Sequence, residues 1–127
     1  MLDNDIGGYC DALNGALRSI GWEEYQLVCF VNLDEVGIES DAVDRQIWRE
    51  CQAEGLLLLT GNRNQADPNS LEQTLREENT ETSLPVLTIS DPQRLSEPEY
   101  RERCVYRVIE VVMSLGNYLG SARQFIP

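Results

Sequence analysis

The chain has 127 residues, 42% of them hydrophobic, and a formal net charge of −12 with a pI near 4.2. This length suits one domain, 1–127, with an apolar core, and no apolar run approaches the ~20 residues of a membrane-spanning helix. There is no histidine and no lysine, which excludes Ser-His-Asp and Cys-His catalysis, Schiff-base chemistry and the phosphate-loop lysine.

The start, MLDNDIGGY, has neither a basic region nor a long apolar stretch. It reads as no signal peptide, and a cytoplasmic location follows. Leu2 leads at once into Asp3-Asn4-Asp5, then Tyr9, Leu13, Ala16, Leu17 and Ile20 form a helical stripe that Gly21 would close. Gln26 to Asn32, QLVCFVN, is rich in strand formers. Ser40 or Asp41 can cap the next helix, with a face of Val43, Ile47, Trp48 and Cys51 and an end at Gly55.

Four leucines follow, Leu56 to Leu59, and then the polar cluster Thr60-Gly61-Asn62-Arg63-Asn64. Consecutive leucines cannot alternate between core and water, so the run suits a strand buried on both faces. Ser70-Leu71-Glu72-Gln73 is a capping box opening a helix with Leu71 and Leu75 inward. Pro85 precedes the strand VLTIS. Asp91-Pro92 marks a turn, and Ser96-Glu97-Pro98-Glu99 reads as a second capping box. Its helix carries Cys104, Val105, Val108, Ile109, Val112 and Leu115 on one face and ends near Gly116. The tail holds Tyr118, Leu119, Phe125 and Ile126, enough apolar surface to dock.

Strands alternate with helices throughout, which implies a mainly parallel sheet of about four strands with helices on both faces, a three-layer α/β/α arrangement. The four cysteines, Cys10, Cys29, Cys51 and Cys104, form no CxxC pair and read as small buried hydrophobes in a reducing compartment. Trp22 and Trp48 read as packing residues, since neither sits in a basic stretch. Arg101, Arg103 and Arg107 are interleaved with Glu99 and Glu102, as a salt-bridged surface or alternatively a partner surface.

Ligands in open α/β sheets gather at the carboxyl ends of strands. Three groups are expected at strand ends or helix starts on one rim: Asp3 with Asp5, Asp41 with Asp44, and Asn62 with Asn64. Converging oxygens of this kind suit Mg²⁺ or Mn²⁺, and acids at these positions also serve as helix caps and turn formers. RNA would meet net repulsion from this acidic chain unless arginine or bridging cations intervene.

The MLDND start, the acid-led helix SDAVDRQIW and the segment EGLLLLTGNRN together resemble PIN-like domains, in particular small bacterial PIN-like proteins, over roughly Leu2 to Leu75. The resemblance implies a metal-dependent endoribonuclease of toxin–antitoxin type, cleaving RNA to a 5′-phosphate and a 3′-hydroxyl. It assigns catalysis to Asp3 and Asp44, and metal binding to Asp3, Asp5, Asp44, Asn62 and Asn64. Thr60 and Arg63 would complete a substrate rim, Arg63 clamping a phosphate or neutralising acids. The family pattern has Asp where this chain has Asn62 and Asn64; a neutral amide oxygen still ligates a hard cation but brings no charge. A compensating acid could come from Asp67 or from Glu72, which also stands four residues before Arg76 as an ordinary helix ion pair. An antitoxin-like protein and a second copy of the chain are implied partners. The alternative is a domain that has lost catalysis and acts as a protein-interaction module.

Overall fold

The computed structural model describes residues 1–21, 28–39, 41–61 and 70–127, apart from the side chains of Asn4 and Asp5. Among them lie four α-helices: α1 (Cys10–Ser19), α2 (Asp44–Glu54), α3 (Leu71–Glu78) and α4 (Pro98–Met113). Three strands, β1 (Leu59–Thr60), β2 (Val86–Ile89) and β3 (Arg123–Ile126), form a parallel sheet in the order β1-β2-β3. Leu59 faces Leu87, and Val86 faces Arg123. Leu2 adds isolated parallel bridges to Leu59 on one side and to Asn32 on the other. The chain is mixed α/β with a parallel sheet, and no described helix is long and apolar enough to cross a membrane.

The leucine run owes its composition to two hydrophobic clusters. Leu57 and Leu59 join the cluster that holds Leu13 and Leu17 of α1 and Val105, Val108 and Ile109 of α4. Leu56 and Leu58 join the one that holds Ile47 and Trp48 of α2 and Leu71 and Leu75 of α3. Met1 and Leu2 divide in the same way, as do Val86 and Leu87. Successive side chains of an extended chain point to opposite faces, so a segment with apolar packing on both must be apolar throughout. Only Leu59 of the four leucines lies within a strand, β1 being two residues long.

The helices start and stop for local reasons. In α1, Cys10, Leu13 and Leu17 make the buried stripe, Asp11 stands in the first turn and Arg18 in the last, favourably for the helix dipole. Gly21, at φ 82°, turns the chain out. In α2 the first helical residue is Asp44, and Val43, half-exposed, takes the cap position without a capping side chain. Asp41 therefore does not cap α2, and Ser40 lies outside the described residues. Gly55 closes α2 at φ 70°, and the Leu56 N–H donates back to Cys51 O at 2.9 Å. Ser70 caps α3 by accepting from the Gln73 N–H at 3.2 Å, but the Gln73 side chain donates to Glu77 and leaves the box half formed. The Ser96 box is absent altogether: Ser96 Oγ donates to Gln93 O at 3.1 Å, and Glu97 precedes α4 without a side-chain cap. Gly116 does not end α4, which stops at Met113; it lies in the separate turn Leu115–Asn117.

Two carboxamides act as surrogate strand neighbours. Asn14 of α1 donates to Phe30 O at 2.9 Å and accepts from the Phe30 N–H at 2.8 Å. Gln52 of α2 treats Leu84 likewise, at 3.0 and 2.9 Å. Each satisfies backbone groups that a sheet edge would otherwise leave unpaired. The expected strand Gln26–Asn32 is described only from residue 28, and it joins the sheet through the single bridge at Asn32. The tail docks more fully than its apolar residues suggest, as β3.

Three of the four cysteines are buried as expected, whereas Cys29 departs from the expectation and is exposed; all four are free thiols. Burial pushes Cys51 and Cys104 each up to about 11 and raises Cys10, so these three stay protonated at neutral pH. Trp48 is a core residue, and Trp22 lies outside the described residues.

Candidate functional site

Asp3 follows Leu2 at the carboxyl end of its short extended segment. Its N–H donates to Leu59 O at 2.8 Å, while the Leu59 N–H donates to Met1 O at 2.7 Å. This pairing sets Asp3 beside the end of β1, where Thr60 Oγ1 donates to Asp3 Oδ2 at 2.9 Å. Asp3 is only 6% exposed and Thr60 is fully buried. A carboxylate this buried must be hydrogen-bonded or matched by positive charge. Beyond Asp3 the chain turns at once, the Ile6 N–H donating to Asp3 O at 3.2 Å, and enters the 3₁₀ turn that carries Gly7 and Gly8.

Asp3 lines a cleft of about 470 Å³ with Gly7, Gly8, Asn32, Leu33 and Asp34. Leu2 pairs with Asn32 on one side and Leu59 on the other. The chain thus leaves Leu2 toward one neighbour and returns to the opposite one. Carboxyl ends at such a reversal are where α/β sheets bind ligands. The cleft's functional atoms are oxygens, from two carboxylates and one amide, with no sulfur or imidazole. Carboxylate and amide oxygens are the donor types that hard cations accept.

Asp44 opens α2, and its Oδ2 accepts from the Leu71 N–H at the start of α3, at 3.3 Å. Its carboxylate sits where the dipoles of both helices favour negative charge. Glu72 forms an ion pair with Arg123 of β3, whose guanidinium also donates to Thr88 Oγ1. Asp41 is exposed. Asn62, Arg63, Asn64 and Asp67 lie outside the described residues, as does the side chain of Asp5. The structure brings Asp3 and Thr60 into contact and joins Asp44 to the α3 start. Among the described residues, no three His, Cys, Asp or Glu side chains gather as ligands for one metal ion.

Two residues of the cleft escape the reading of the sequence. Asn32 ends the expected second strand and Asp34 follows two residues later. Their signal was the one that singled out Asp3 and Asn62: polar oxygens just past a run of strand formers. Asn32 Oδ1 is buried and has no hydrogen-bond partner. A Cβ added at Gly7 would stand 3.3 Å from that oxygen, so the glycine leaves it room.

No family model, curated protein or solved structure matches the chain.

Proposed function

We propose that the chain is a three-layer α/β/α, PIN-like domain that binds Mg²⁺ or Mn²⁺ at the carboxyl edge of its sheet and cleaves RNA phosphodiesters. The observation that carries the reading is Asp3: an acid almost wholly withdrawn from water, at a strand end, steadied by a buried hydroxyl. The division of core side chains between two clusters, α1 with α4 and α2 with α3, supports the layering. When bound, the cation supplies Lewis-acid stabilisation of phosphate charge and a more acidic water.

The residues have distinct work. Asp3 and Asp44 supply negative charge, and Asn62 and Asn64 add neutral oxygens. Thr60 fixes the Asp3 carboxylate by donating to its Oδ2. Arg63 receives the substrate phosphate. Cation binding also answers the electrostatic objection, since a chain of net charge −12 meets RNA more easily through a bound metal.

A second reading, a non-catalytic interaction module, is favoured by the neutral Asn62 and Asn64. Labelled RNA incubated with Mn²⁺ and pure protein separates the two. Cleavage by the wild type that is lost in Asp3→Asn and Asp44→Asn supports the nuclease. Equal cleavage by all three points to contamination and removes it, and no cleavage by any leaves the interaction module.

A further inference from the structure

We propose that Asn32 and Asp34 are ligands of the divalent cation alongside Asp3, and that Asp34 supplies the charge missing at Asn62 and Asn64. The inference rests on the metal-binding part of the reading above and assigns it a ligand pair from the segment after residue 31.

The first support is Asn32 Oδ1. A buried amide oxygen without a partner forfeits its hydration and gains nothing in return. Such an atom is stable when something outside the protein satisfies it, and this one belongs to a residue lining the Asp3 cleft. Amide oxygens are ordinary ligands of hard cations.

The second support is the absence of a side chain at Gly7. The nearest heavy atom to a Cβ built there is Asn32 Oδ1 itself, at 3.3 Å. Any larger residue would press on the oxygen that the proposal gives to the metal.

The third is the fixed position of Asp34. The Glu35 N–H donates to Asn32 O, the Val36 N–H to Leu33 O and the Gly37 N–H to Asp34 O, each at 3.2 Å. Gly37, at φ 81°, then turns the chain away, and the Ile38 N–H donates to Leu33 O at 2.9 Å. Asp34 is thereby held on the rim of the cleft, its exposed carboxylate two residues from Asn32. Glu72, the other described acid considered as compensation, is engaged by Arg123 on β3.

The test is a Mn²⁺ titration of the full chain, followed by the electron paramagnetic resonance signal of free Mn²⁺. Asp34→Asn, Asn32→Leu and Gly7→Ala are compared with wild type, with Asp3→Asn as the reference for loss and the exposed Glu99→Gln as the unaffected control. Asp34→Asn and Asn32→Leu are each expected to weaken binding about tenfold or more, the scale on which even indirect supports of metal ligands act. Far-UV circular dichroism without metal checks folding. Should Asn32→Leu misfold, Asp34→Asn decides, since its side chain is exposed and its shape unchanged. Binding by both variants equal to wild type, with loss in Asp3→Asn, overturns this proposal and spares the metal site. A wild type that takes up no Mn²⁺ overturns both. Weakened binding in the variants of a protein that cleaves no RNA upholds the ligand pair and removes the nuclease.

Discussion

Asn14→Ala tests how the second extended segment is held beside Leu2. The Asn14 carboxamide makes two hydrogen bonds to the backbone of Phe30, a residue only 5% exposed. Each bond is worth about 1 kcal/mol net, and a buried N–H left without a partner costs about 1–3 kcal/mol more than a satisfied one. The carbonyl suffers less, because Cys10 Sγ also donates to Phe30 O, at 3.4 Å. Alanine's better helix propensity returns about 0.5 kcal/mol. The expected loss is therefore roughly 3 kcal/mol, a large share of the about 5–15 kcal/mol typical of a domain. At this chain length it lowers Tm by about 10 °C.

Urea unfolding followed by far-UV circular dichroism reads the loss as a lower midpoint at unchanged slope. Asn14→Asp sharpens the test. A carboxylate still accepts from the Phe30 N–H but cannot donate to Phe30 O, and it sets charge against that carbonyl. It should destabilise as well, although it nearly preserves size. A loss below about 1 kcal/mol in Asn14→Ala would refute the idea that this amide takes the place of a neighbouring strand. Because Phe30 stands two residues before Asn32, the same variant should also weaken Mn²⁺ binding.

Gly120 is at φ 80°, and a Cβ there would lie 2.9 Å from Glu81 O, a backbone atom; Gly120→Ala should cost about 2 kcal/mol or more, and an unchanged urea midpoint would show that the turn before β3 can yield. Thr60→Val removes the donor to Asp3 Oδ2 and should cost about 1.5–3 kcal/mol in urea unfolding, the range for a hydrogen bond to a charged group. In the native protein at neutral pH a disulfide thiol reagent should label Cys29 rapidly and Cys10, Cys51 and Cys104 only on unfolding; a second fast thiol would contradict the burial that raises their pKa values. Glu77 is held below the ordinary value by hydrogen bonds from Gln73 and Arg45, and Glu78 by Arg49 and then Arg45; depressed folded-state values add stability above the unfolded pKa of 4.5 that is lost as pH falls through them, so Glu78→Gln should flatten the decline of Tm below pH 4.5.

What the sequence disclosed depended on the range of the interactions involved. The α1 stripe, the Gly55 stop and the Ser70 cap are set by residues within a turn or two, and each could be read from spacing. The apolar character of the leucine run was legible for a different reason: its residues pack alternately on the two clusters, although only Leu59 lies within a strand. Arg123–Ile126 had no such signature. Its sequence alternates nothing, and its first residue is a charge that becomes acceptable only because Glu72 and Thr88, distant in the chain, receive it. The Asn14 and Gln52 brackets are equally invisible, since a carboxamide in a helix looks like any surface residue until the backbone it serves arrives.

The candidate site divides along the same line. Asp3 and Asp44 were found as acids in expected places, and Thr60 as the end of an apolar run. Their arrangement is a separate matter. Thr60 reaches Asp3 because a segment of only two or three residues pairs with β1 in parallel, and a strand that short carries no periodicity to detect. Asn32 and Asp34 carry no distinguishing mark, because their segment reads as one more strand followed by a polar connection. Nothing local shows that residue 32 pairs with residue 2, yet that pairing gives the Asp3 cleft its second wall. Residues that build a site at a sheet edge are selected for what stands opposite them, and the opposite residue is fixed by strand order. In this chain the strand order near the site is carried by two bridges at Leu2. Shifting that register by one residue would turn Asp3 away from Thr60 and toward the opposite face, while hardly altering the local pattern from which any element was read.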